Sequence, residues 1–153
     1  MAHFAKIVEQ VNSETGETEW IVERVNVVSN NIPTSDGPLG ENDMHPDGEA
    51  WMVNRHPGTT WKQTSYNNNF RGRYCNIGDK YDPVNDVFIP QKPFPDWVWS
   101  DAKNNWVAPV ADPSVNANEY KANWDQENSR WSGVNEDGVA VYWDPDTSTW
   151  NNI

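Results

Sequence analysis

Arg71 and Arg73 stand in the run FRGRY, between Phe70 and Tyr74 and downstream of Trp61, Lys62 and Tyr66. Cations interleaved with large aromatics can stack on bases and pair with phosphates, as in binders of single-stranded nucleic acid. They can also form a hot spot for another protein, because Trp, Tyr and Arg bury much area and still offer a polar contact. Charge decides between the two. The chain carries 11 Lys and Arg against 23 Asp and Glu, a net charge of −12. Its acids are spread along the whole sequence, and such a surface repels nucleic acid and anionic membranes. The candidate partner-binding residues are therefore Trp61, Lys62, Tyr66, Arg71, Arg73 and Tyr74. A hydrophobic core would use the same composition, and the arginines can equally pair with carboxylates or stack on rings. Both demands are met if Trp61 and Phe70 turn inward while Lys62, Arg71 and Arg73 face a partner.

Catalytic and metal chemistry find less support. His3, His45 and His56 could each act as a base, yet none sits beside a nucleophile in a recognisable pattern. Asp43, His45 and Asp47, with Cys75, lack the paired Cys or His spacing of a zinc site. Asp144, Asp146 and Ser148 imitate the opening of a calcium loop, but Thr149 stands where that loop requires glycine. Side chains that cap turns explain the same residues. No catalytic residue, metal or cofactor is assigned, and the chain is read as non-enzymatic.

A second aromatic pattern concerns spacing. YDPVNDVF, WSDAKNNW, WDQENSRW and WDPDTSTW each place two aromatics seven positions apart around a polar interior. If each interior folds back as a turn, Tyr81 faces Phe88, Trp99 faces Trp106, Trp124 faces Trp131, and Trp143 faces Trp150, each pair on one face of its own hairpin. Such pairs stabilise small hairpins by roughly 0.2–1 kcal/mol each. Exposed Trp rings could alternatively stack on sugars.

The elements that must carry these residues follow from composition. Ten Trp and abundant Val accompany a single Leu, Leu39, and Val, Trp and Tyr fit a pleated, half-buried surface better than a helix interior. The spacing predicts an all-β protein of successive antiparallel hairpins. The first joins His3–Val11 to WIVERVNVV through a turn at Gly16. Residues 29–60 read as a long irregular loop, with a short helix near Glu49–Asn54 and little helix outside 41–57. Proline-rich linkers suggest a division into residues 1–110, an N-terminal β domain, and residues 111–153, a pair of Trp hairpins. Cys75 is the only cysteine, so no intramolecular disulfide forms and synthesis in a reducing cytoplasm fits.

The opening MAHFAKIVEQV, the centre WKQTSYNNNFRGRYCNIGDKYDPVNDVFIPQKPFPDW and the ending VYWDPDTSTWNNI together resemble a family of short structural proteins from marine tailed phages. Relative to shorter members, the stretch from Val107 to Val141 looks like an insertion. The resemblance implies a virion component made in the host cytoplasm. A capsid decoration protein contacting the major capsid protein, another virion protein or its own copies is the leading expectation. A tail, baseplate or fibre-associated protein binding a glycan or receptor through exposed Trp is the alternative.

Overall fold

The computed structural model describes residues 1–40 and 44–153. It is all-β, a mostly antiparallel architecture with a half-barrel, separate small sheets and one short helix. Two compact units divide it, Met1–Gln91 and Lys92–Ile153, so the hairpin carrying Trp99 and Trp106 is grouped with the C-terminal unit and not with residues 1–110.

In the N-terminal unit, β1 (Ala2–Val11) and β2 (Thr18–Val28) form the first hairpin, whose turn uses Gly16 at φ 73°. The next segment is more ordered than its turn-rich composition suggested. It holds β3 (Pro33–Thr34), β4 (Gly37–Pro38) and the helix α1 (Pro46–Arg55), and the expected helix core lies inside α1. His45 caps the helix by accepting the Asp47 N–H on its ring, Pro46 opens the first turn, and Asp47 and Glu49 meet the positive end of the helix dipole while Arg55 lies in the last turn. Strands β5 (Thr60–Thr64), β6 (Lys80–Asp82) and β7 (Val87–Ile89) complete a five-stranded sheet of order β5-β1-β2-β6-β7.

Alternation along β1 feeds two cores. Ala2 and Phe4 point to one side, where Ile32, Leu39 and Trp61 pack with Met52 of the helix. Ala5 and Ile7 point to the other, against Val22, Cys75, Tyr81 and Phe88. Gly48 lets the helix sit this close: a Cβ there would lie 2.9 Å from the Phe4 ring. The supposedly irregular loop thus supplies the lid of the first core, through Ile32, Leu39 and Met52.

The C-terminal unit contains a small hairpin, β8 (Val98–Ser100) with β9 (Asn105–Val107), and a four-stranded meander of β10 (Asn123–Asp125), β11 (Arg130–Val134), β12 (Ala140–Asp144) and β13 (Thr149–Asn152). The predicted aromatic pairs are direct cross-strand neighbours in all four hairpins. Their ring centroids are 5.5 Å apart for Tyr81/Phe88, 5.4 Å for Trp99/Trp106, 5.5 Å for Trp124/Trp131 and 5.6 Å for Trp143/Trp150.

One turn makes them all. A residue five positions after the first aromatic adopts the left-handed conformation: Asp86 at φ 52°, Asn104 at 46°, Ser129 at 47° and Ser148 at 53°. The residue directly after that aromatic uses its side chain to accept a turn N–H: Asp82 from Val84, Ser100 from Lys103, Asp125 from Asn128, Asp144 from Asp146. This local bond holds the chain reversal that brings the aromatics together.

Candidate functional site

The segment from Trp61 to Tyr74 begins in an edge strand and ends in a loop. Gln63 on β5 lies opposite Phe4 on β1, and its backbone N–H and C=O point away from the sheet. Both are taken. The N–H donates to Glu49 Oε1 of α1 at 2.8 Å, and the carbonyl accepts from Arg71 Nη1 at 2.8 Å. Arg71 Nη1 also donates to Glu49 Oε1 at 2.5 Å, so a guanidinium and a carboxylate together occupy the place of a sixth strand. At the opposite edge of the same sheet, the Phe88 N–H of β7 donates to the Arg71 carbonyl at 3.1 Å. One residue, itself at φ 53°, thereby reaches both edges of the sheet.

The electrostatics hold this clasp together. Arg71 Nε donates to Asp86 Oδ1 at 2.7 Å, and the Tyr81 hydroxyl donates to the same oxygen at 2.5 Å. Burial opposes ionisation of Asp86, yet these bonds and the Arg71 charge keep its pKa below the usual carboxylate value. Burial likewise opposes the Arg71 charge, and Glu49 and Asp86 more than offset it, raising its pKa. Burial, then the Asp86 bond, pushes the Tyr81 hydroxyl up. A guanidinium this buried is held only where its hydrogen bonds to carboxylates are this complete.

This overturns the expectation that Arg71 faces a partner, because its side chain is only 6 % exposed. Trp61 is also interior, at 2 % exposure. Its indole N–H donates to Thr59 Oγ1, and its ring packs on His56 at 5.5 Å. Lys62 is half-buried, with its ammonium 3.7 Å from Glu49 and over the Tyr81 ring. Arg73 is half-buried too, and its charge partly offsets the burial that raises the pKa of Asp79. Composition could not distinguish inward from outward arginines. The signal that sequence reasoning missed is Glu49, on the helix that crosses the edge of β5.

Tyr66 and Tyr74 are arranged differently. With His3 of β1 they form a three-ring cluster: His3 stacks on Tyr66 at 5.7 Å and meets the Tyr74 edge at 5.5 Å, while the two Tyr rings lie 5.4 Å apart. Tyr66 is 66 % exposed. The loop that carries the cluster is built by local bonds: Asn69 N–H to Ser65 Oγ, Asn68 N–H to the Ser65 carbonyl, and Tyr74 N–H to Asn68 Oδ1 at 2.6 Å, with Asn68 left-handed at φ 58°. These rings form a firm aromatic platform beside the clasp.

The Trp residues of the C-terminal meander serve mainly as core. Trp124, Trp131, Gly133, Val141, Trp143 and Trp150 share one face by register, and segments of the same unit cover it. Trp97 packs on Trp124 and Trp131 at 6.3 and 6.2 Å, and Tyr120 on Trp150 at 5.5 Å. The indole N–H groups of Trp131 and Trp150 donate to the Val110 and Val115 carbonyls. Trp124 and Trp143 are 6 % and 4 % exposed.

The remaining candidates take structural positions. His45 Nδ1 accepts the Asp47 N–H, so its Nε2–H donates to Asp36 at 3.0 Å. His56 ends α1 by donating its N–H to Met52 and Val53 carbonyls. Cys75 is buried, and burial pushes its thiol up to about 11, where little thiolate forms. Asp43 lies outside the described residues. Among the described residues no group of three or more His, Cys, Asp or Glu is placed to hold a metal ion, and no helix is long and apolar enough to cross a membrane. The chain matches no family model, no curated protein and no solved structure.

Proposed function

We propose that this chain is a non-enzymatic virion protein that decorates a phage capsid and docks through the His3, Tyr66 and Tyr74 cluster onto the major capsid protein or another virion protein. The observation that carries the docking surface is an exposed tyrosine, stacked on His3 and meeting Tyr74 edge to face, in a loop fixed by the Ser65 and Asn68 bonds. Rigid aromatics with a polar tip lose little entropy on binding and are typical anchors of interfaces. The assignment to a virion rests on the resemblance of the opening, central and terminal segments to the phage structural family. Two of those three segments, the opening and the centre, supply the cluster.

Glycan recognition is the second reading, and one observation narrows it. The meander Trp rings are packed or bonded through their N–H groups, which leaves Tyr66 and the half-buried Trp99/Trp106 pair as the rings on which a sugar could stack. Quantitative mass spectrometry of purified particles tests the first reading: a decoration protein is present in hundreds of copies, a tail receptor-binder in few. Tyr66→Ser should lower occupancy on particles without changing the thermal midpoint of the free protein. Unchanged occupancy would reject the docking role, and glycan-array binding that disappears in the same variant would favour the second reading.

A further inference from the structure

The meander ends in a strand whose outer edge carries a different character from the sheet edges of the N-terminal unit. Ile153 N–H donates to the Ala140 carbonyl at 3.0 Å, which fixes the alternation of the β12/β13 ladder. Tyr142/Asn151 then exchange backbone bonds, while Trp143/Trp150 and Val141/Asn152 do not. The N–H and C=O groups of Trp150 and Asn152 consequently point away from β12. Among the described residues neither strand nor loop pairs with them. From Thr147 to Ile153 there is no charged side chain, in a chain of net charge −12. Native edges are commonly protected by a charge, a proline or a covering segment, and among the described residues this one has no charged side chain, no proline and no strand paired over it.

We infer that the β13 edge is a self-association surface, onto which a second copy of this chain adds its own β13 antiparallel across a two-fold axis at Asn151. In that register Trp150 pairs with Asn152 of the other copy, and the reverse, so all four outward groups on each strand are satisfied. Asn151 faces its own counterpart as a close, non-hydrogen-bonded pair, where two amides can bond to each other. Thr149 faces Ile153, covering an isoleucine that is 67 % exposed in the single chain. Two acidic chains repel over most of their surfaces, and this edge is where they can meet without bringing acidic side chains together. The two meanders become one eight-stranded sheet.

Sedimentation velocity on the full chain, from micromolar to several hundred micromolar, should show a monomer–dimer equilibrium that strengthens with salt as the overall repulsion is screened. Asn152→Pro removes an outward donor while leaving the bonds to β12 intact, and should weaken association at least about tenfold. Asn151→Lys and Asn151→Asp each place like charges across the axis and should remain monomeric alone, yet pair when mixed. Near-UV circular dichroism identical to the wild type shows that each variant is folded. In hydrogen exchange, the Trp150 and Asn152 amides should become protected only as concentration rises. A wild-type chain that stays monomeric throughout overturns the inference, as does association that Asn152→Pro leaves unchanged or charge variants that fail to pair on mixing. Protection of those amides only after another virion protein is added would show that the edge takes a foreign strand, and overturns it equally.

Discussion

In the N-terminal sheet, Glu49 and Arg71 take the outward groups of Gln63, and the Arg71 carbonyl takes the Phe88 N–H. In the C-terminal meander, the corresponding groups of Trp150 and Asn152 meet no protein partner among the described residues. The two units share the same turn and the same cross-strand aromatic pair, so hairpin chemistry does not account for the difference. Length and context do. The N-terminal unit spends a helix and a loop on closing its sheet, and one arginine joins them. The meander spends its extra chain on one face, where residues 94–97 and 110–120 cover the Trp row, and leaves its last strand open.

The largest effect is expected from breaking the clasp. Arg71→Met strips the buried Gln63 carbonyl and leaves Glu49 and Asp86 without their shared cation, and should cost about 2–4 kcal/mol, the half-exposed Asp86 carboxylate being partly rescued by water. A urea titration should show the loss, and hydrogen exchange should locate it at Gln63 and Phe88. Arg71→Lys should not restore it, since a single ammonium cannot serve the Glu49, Asp86 and Gln63 oxygens from one rigid fork. A midpoint that moves by less than about 1 kcal/mol would mean the edges are sealed by packing instead.

Next in size is Gly133→Ala. A Cβ at this position would lie 2.3 Å from the Tyr120 carbonyl oxygen, so the segment covering the Trp face must move. The expected loss is about 1–3 kcal/mol, in the C-terminal unit alone. Loss of near-UV signal from Trp131 and Trp150 without change in exchange at β1 would confirm that the units respond separately.

A smaller and opposite pair of effects compares one turn position in both units. Ser148 and Asp86 occupy the same left-handed site, at φ 53° and 52°. Ser148→Gly should stabilise the meander by several tenths to about 1 kcal/mol, since glycine adopts this conformation without a Cβ penalty. Asp86→Gly relieves the same strain but removes the acceptor of Arg71 Nε and Tyr81, and should destabilise. Thermal midpoints that moved together would break the comparison.

The smallest is a pH effect. Asp86 has a depressed pKa in the folded chain, so its contribution is present above the ordinary aspartate value and is lost as pH falls through the folded one. Asp79 has a raised pKa through burial, so its charged form opposes folding once pH rises above the ordinary value. Lowering pH from neutrality should first relieve Asp79, at mildly acidic pH, and then release the clasp below about pH 4. Segment-resolved exchange should show the second step at Gln63 and Phe88, and Asp79→Asn should abolish the first.

Much of this was legible in the residues themselves. The all-β architecture follows from Val and Trp richness with one Leu, and the four aromatic pairs follow from a spacing of seven around turn-forming residues. Those are local facts, because a side chain that bonds its own turn and a partner seven residues away are fixed by nearby sequence. Ile32, Leu39 and Met52 could not be placed from a stretch without periodicity. The direction of Arg71 was equally hidden, since FRGRY reads alike whether its first arginine meets solvent or Glu49, 22 residues earlier. Only the crossing of α1 over β5 brings that carboxylate to the sheet edge. Sequence determined which hairpins form and which faces their aromatics share. Tertiary structure decided which edges close, because an edge is closed by groups distant in the chain whose meeting no local pattern encodes.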